Sequence, residues 1–240
     1  TCAPFPKVDS DAVGYWQVRQ NGNVYAFGDA RIYTPDASNP KTTHKYWVVA
    51  SYGNHDGLGY WTMSMDGTVI GYGSAQHYGD ASSTGETGFM GFAPTPTGNG
   101  YWLLHRDGYV YAYGDAVHEG DSTYSGTLPS GVAATAHAIE SHPSLSGYWV
   151  LWTDGHVDAL GSVTHYGNAD RYLFTNTEYV ACLRRTSTGS GYWIVSGSGW
   201  VKAYGDAPYR DSAEHYAHAN WTDALIWDFL PNWNSDNGYA

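Results

Sequence analysis

The sequence is 240 residues long, with 30 glycines, 11 tryptophans, 22 tyrosines and a formal net charge of −12. So many aromatic side chains can bury enough surface to offset ordering entropy, which excludes a disordered composition, and the length suits one all-β domain with a sizeable core. The negative charge disfavours nucleic acid and anionic membrane surfaces as partners, and no run approaches the ~20 apolar residues of a membrane-spanning helix.

In chain order, Thr1–Pro6 comes first and reads as the start of a processed, exported form, since no leader precedes it. Gly14-Tyr15-Trp16 opens a strand that runs to the turn Asn21-Gly22. A second strand follows, with Val24 and Ala26 alternating, and ends at Gly28-Asp29-Ala30. A short third strand is expected around Tyr33. The loop Ala37–Lys45 then leads into an apolar strand, Tyr46–Ala50.

This unit returns. Gly-Tyr-Trp recurs at Gly59, Gly100, Gly147 and Gly191, with a degenerate copy at Gly238-Tyr239-Ala240, at spacings of 45, 41, 47, 44 and 47 residues. The turn recurs as Asp66-Gly67, Asp107-Gly108, Asp154-Gly155 and Ser198-Gly199. Asn-Gly and Asp-Gly tolerate the positive φ angles of a type I′ hairpin turn. The strand end recurs as Gly73-Ser74-Ala75, Gly114-Asp115-Ala116, Gly161-Ser162-Val163 and Gly205-Asp206-Ala207, and the short third strand around Tyr78, Glu119, Tyr166 and Arg210. The apolar strand recurs at Phe89–Ala93, His137–Ser141, Val180–Leu183 and Ala224–Phe229.

Four antiparallel strands per unit, five times over, predict an all-β five-bladed β-propeller spanning residues 1–240 as one domain. The apolar strand is innermost. The surplus strand Ala224–Phe229 is expected to complete the first blade beside Tyr15–Arg19, with Cys2 anchoring the displaced N-terminal segment. The alternative is a fragment of a larger propeller. Cys2 and Cys182 lack a metal-ligand spacing, and in an exported chain they suggest one disulfide.

The pattern Gly-Tyr-Trp, then Asp-Gly, then Tyr/Phe-Gly-Asp-Ala, then Tyr-Gly-Asp, with its best copy from Gly100 to Asp121, resembles a repeat family of exported actinobacterial proteins and some of their phages. There it accompanies cell-wall hydrolase domains or stands alone. The resemblance implies a secreted scaffold. The five-blade count is similar in architecture alone to tachylectin-2-like lectins.

Within each Gly-Tyr-Trp strand, Trp shares a face with Val18, Met63, Leu104, Leu151 or Val195, two positions on, while Tyr faces the other way. Sheets packed face to face would bury both, so Trp16, Trp61, Trp102, Trp149 and Trp193 are expected in the core. His77, His118 and His165 recur at one position and read as packing or edge hydrogen-bonding groups, not metal ligands. Asp29, Asp115 and Asp206 read as turn formers. Arg184 and Arg185 are expected to neutralise nearby carboxylates.

Function is expected on the long loops Ala37–Lys45, Ala81–Gly88, Ser122–Ala136, Ala169–Tyr179 and Ser212–Thr222. Tyr124, Arg171, Tyr172, Phe174, His215, Tyr216 and Trp221 lie there, and rings among planar polar groups suit a sugar's apolar face and its hydroxyls. No nucleophile elbow, zinc-protease motif, phosphate loop or dinucleotide fingerprint occurs. The expectation is a secreted, non-catalytic, lectin-like module without metal or cofactor that takes cell-surface or cell-wall carbohydrate. The alternative is a structural or protein-interaction subunit of an extracellular assembly, such as a phage tail or secreted toxin particle.

Overall fold

The structure, a computed structural model, describes residues 15–37, 39–54, 56–169 and 180–210. Among them are fourteen strands and one 3₁₀ turn, Ser82–Thr84. The strands form five separate antiparallel sheets: β1(Tyr15–Val18) with β2(Val24–Phe27); β3(Val48–Gly53), β4(Gly59–Ser64) and β5(Val69–Gly73); β6(Phe89–Pro94), β7(Gly100–His105) and β8(Val110–Gly114); β9(Ala136–Ser141), β10(Gly147–Trp152) and β11(Val157–Gly161); and β12(Val180–Arg185), β13(Gly191–Ser196) and β14(Val201–Gly205). The Gly-Tyr-Trp strand is central in each three-stranded sheet. Contacts group the chain into two compact units, β1–β8 and β9–β14, with the boundary running through residues 106–118.

This corrects the expected architecture. Among the described residues the sheets have two or three strands rather than four and none of them closes, so they form neither a five-bladed propeller of four-stranded blades nor a fragment of a larger one. The segments around Tyr33, Tyr78, Glu119, Tyr166 and Arg210 carry no strand. Side chains hold them in every copy. The Trp indole N–H of each repeat donates to a carbonyl fifteen residues on: Trp16 to Arg31 (2.7 Å), Trp61 to Gln76, Trp102 to Val117 and Trp149 to Thr164 (each 2.8 Å), and Trp193 to Pro208 (2.9 Å). The next repeat's Tyr hydroxyl takes a second grip: Tyr101 donates to the Gly79 carbonyl (2.5 Å), Tyr148 to Gly120 (2.6 Å) and Tyr192 to Gly167 (2.6 Å). At the first copy the backbone also pairs briefly with β5: Pro35 bridges Tyr72, with the Asp36 N–H on the Gly71 carbonyl (2.8 Å) and the Gly73 N–H on the Thr34 carbonyl (3.2 Å). The predicted closing strand Ala224–Phe229 and the segment Thr1–Pro6 lie outside the described residues.

The hairpin turns also differ from expectation. Gly22 N–H bonds the Arg19 carbonyl and Arg19 N–H bonds the Asn23 carbonyl, at 2.8 and 2.9 Å. The loop therefore has three residues and ends in a left-handed glycine (φ +84°), which is not a two-residue type I′ turn. The same pair of bonds recurs at Ser64–Thr68, Trp152–His156 and Ser196–Trp200. A second shared device is a bulge near the start of the first strand, between Val48 and Ala50, Phe89 and Gly91, and Val180 and Cys182, with β9 skipping His137 in the same way.

Sheets pack face to face within each unit. β4, β7, β10 and β13 are buried along their whole length, so apolar residues occupy both faces. The Trp face of one sheet meets the Tyr face of the next: Trp16 lies 5.2 Å from Tyr60, Trp61 6.1 Å from Tyr101 and Trp149 5.7 Å from Tyr192 between ring centroids. The last two pairs are edge-to-face, the arrangement favoured by the ring quadrupole. Trp61, Trp102, Trp149 and Trp193 are buried, and Trp16, in the two-stranded sheet, is half-buried.

Candidate functional site

Of the loop residues singled out in the sequence, Tyr124 is described. Arg171, Tyr172, Phe174, His215, Tyr216 and Trp221 lie outside the described residues, as does Cys2. Cys182 is buried on β12.

Tyr124 is half-buried, and its ring is already occupied. It stacks on His156 at 3.8 Å with the planes 5° apart and meets Trp152 edge-on at 5.4 Å, while its hydroxyl donates to Asp154 Oδ2 at 2.7 Å. The Trp152 indole donates to Ser122 Oγ, and Ser122 in turn bonds Asp158, which also contacts His156 Nε2 at 2.9 Å. Burial alone would raise the Asp158 carboxyl, but hydrogen bonds from His156 and Ser122 outweigh it and hold the group below the ordinary carboxylate range. Tyr124 thus locks the β10–β11 hairpin to the loop between β8 and β9.

Three polar clusters combine residue types that could carry chemistry. Glu140 on β9 is flanked by Arg184 Nη1 at 3.7 Å and Arg185 Nε at 3.5 Å from β12, so the two arginines do answer a buried carboxylate. His44 lies between Ser64 Oγ (2.9 Å) and Thr62 Oγ1 (2.7 Å), and desolvation lowers its pKa to about 4. A nucleophilic serine would give its proton to the imidazole. Ser64 instead donates to Asp66 Oδ1 at 2.6 Å and is wholly buried, so this cluster is structural. His77 donates its backbone N–H to Asp36 and sets its ring 3.7 Å from Asp80, while His165 bonds Asn168. No group of three or more His, Cys, Asp or Glu placed to hold a metal occurs among the described residues.

An open cleft of about 570 Å³ lies at the β1–β2 turn, lined by Val18, Arg19, Gln20, Asn21 and Trp47. Trp47 immediately precedes β3, and its backbone carbonyl accepts the Met65 N–H at 3.0 Å. Its indole is 67% exposed. The corresponding residue, twelve before each Gly-Tyr-Trp glycine, is Cys2, Gly88, Thr135 or Tyr179 in the other copies, so the repeat does not require an indole there. Arg19 is exposed and holds its guanidinium carbon 5.0 Å from the centroid of the Tyr25 ring. Asn21 Oδ1 accepts the Asn23 N–H at 3.1 Å, which sets the amide with its NH₂ turned to other partners. An exposed apolar plate beside a guanidinium and two primary amides can stack on a flat apolar surface and hydrogen-bond the polar groups at its edge.

Sequence reasoning missed this cleft because Trp47 sits inside an apolar run, Tyr46–Ala50, and reads as buried. The available signal was the comparison across copies, in which Trp47 falls on Cys2, Gly88, Thr135 and Tyr179.

No family model matches the chain and no curated protein matches it. Two crystal structures of Sqt1 from Chaetomium thermophilum are similar in fold, with TM-scores of 0.51 and 0.50 at 14% identity over 89% of this chain. The chain spans a little over half of those Sqt1 chains, 56% and 57%. At that identity the likeness is one of fold alone.

Proposed function

We propose that this chain is a secreted, non-catalytic, lectin-like binding module for cell-surface or cell-wall carbohydrate, with the Trp47 cleft as its contact site. The observation that carries the reading is the exposed Trp47 indole among Arg19, Gln20 and Asn21, at a position where the other repeats have cysteine, glycine, threonine or tyrosine. The apolar face of a pyranose stacks on such a ring, and its hydroxyls bond the planar polar groups around it. Titration with a panel of wall and surface oligosaccharides, followed by tryptophan fluorescence and calorimetry, tests it. Binding should vanish in Trp47→Ala while the far-ultraviolet spectrum and unfolding midpoint persist. A panel with no binder at millimolar concentration overturns the reading.

A second reading, a protein-interaction subunit of an extracellular assembly, is favoured by one observation. Tyr15 and Phe27, stacked at 5.0 Å on the two-stranded sheet, are both exposed. Native mass spectrometry of the pure chain distinguishes the two, because an assembly subunit should self-associate or capture a partner over an interface above ~1,000 Å².

A further inference from the structure

We infer that the cleft takes a sugar bearing a carboxylate, a hexuronic acid or a related sugar acid, with Arg19 receiving the carboxylate while Trp47 stacks on the ring. The inference rests on the reading of the cleft as a glycan site and adds the ligand's charge to it. The chain carries 23 acidic against 11 basic side chains, so an arginine has carboxylates in excess to choose from. Arg184 and Arg185 share one, Glu140. Arg19 forms no ion pair among the described residues, and its partner is the face of Tyr25.

That contact positions the guanidinium but supplies no oxygen to its five N–H donors. A positioned guanidinium with its donors unspent matches a carboxylate's two oxygens in a way a lysine ammonium does not. Gln20 and Asn21 stand beside it to take the hydroxyls next to the carboxyl group. The net charge of −12 does not oppose this at contact range. Distant carboxylates are screened beyond ~8 Å at physiological ionic strength, and none of the five lining residues is acidic.

The test compares glucuronic acid with glucose, and their matched β-linked disaccharides, by calorimetry and by the fluorescence of the intact chain. The acid form should bind at least about tenfold more tightly, as a charge-assisted forked bond provides. Arg19→Gln should remove that preference by weakening the acid form far more than the neutral sugar, whose affinity falls by no more than a few-fold, and Arg19→Lys should restore only part of it. Trp47→Ala should lose both ligands. Equal affinity of the wild-type chain for acid and neutral forms overturns the inference and leaves the carbohydrate reading standing. Failure of both sugars and of the wider panel overturns the carbohydrate reading itself.

Discussion

The repeated tryptophan does two jobs with one side chain. Its ring fills the space between sheets, and its N–H fastens the segment fifteen residues downstream. Trp102→Ala should therefore cost about 3–5 kcal/mol of stability, as large-to-small core changes do, read from the urea midpoint. Trp16→Ala should cost clearly less, because Trp16 is only half-buried. A milder change separates the two jobs: Trp149→Phe keeps a ring but leaves the Thr164 carbonyl without its donor, about 1 kcal/mol on top of the smaller packing loss. The tyrosine beside it is also bonded on both counts. Tyr101 donates to Gly79 and accepts the Tyr78 N–H, and Tyr192 does the same for Gly167 and Tyr166. Tyr101→Phe should open hydrogen-exchange protection at Tyr78, whose N–H loses its acceptor, before it unfolds anything else.

At the scale of elements, two turns of one repeat are cross-linked by side chains. Asp115 accepts from Thr95 and Thr97 at 2.8 and 2.5 Å, and Asp206 accepts from Thr186 and Thr188 at the same distances. Elsewhere the roles are exchanged, and Ser74 donates to Asp56 at 2.8 Å. The recurring Asp therefore does more than shape its own turn. It clamps the turn that leads into the central strand to the one that leaves the third.

Two glycines with positive φ are constrained differently. Gly79 has φ +127°, and a Cβ there would lie 2.7 Å from the Tyr113 ring. Gly85 also has a positive φ, +75°, but nothing lies within 4 Å of its added Cβ. Gly85→Ala should cost only the left-handed penalty of about 1–2 kcal/mol, whereas Gly79→Ala adds a steric term of about 1–3 kcal/mol; a pair of thermal melts measures the difference.

For the whole molecule, titration sets the limits of stability. His44 and His137 both have pKa values pushed down to about 4 by desolvation, against 6.5 for an ordinary imidazole. Between those values the unfolded chain binds more protons than the folded one, so stability present above pH 6.5 is lost as the pH falls toward 4. At the other end, burial raises Tyr60 and Tyr192 to about 12. The unfolded chain releases those protons near pH 10, so stability is lost again as the pH rises from 10 toward 12. Unfolding midpoints measured from about pH 3 to 12 should form a plateau between about 6.5 and 10. His44→Gln should flatten part of the acid shoulder by removing the group that must charge.

The five Gly-Tyr-Trp strands, the partner strands on either side in four copies, the turn positions and the opposite-facing Trp and Tyr were all legible in the residue order. They depend on alternation, glycine chemistry and period, which are local properties. Three things were not legible. The recurring segment at Tyr33, Tyr78, Glu119, Tyr166 and Arg210 looks like a strand, but its fate depends on which donors a distant Trp and Tyr offer its carbonyls. Tyr124 looks like a displayed ring until His156 and Asp154, thirty or more residues away in sequence, are folded against it. Trp47 looks buried because its neighbours in sequence are apolar, yet folding leaves it in the open beside Arg19. Local pattern determines where a strand can form and which way its side chains point; only the folded chain decides which hydrogen-bonding groups and which surfaces remain to be satisfied by something else.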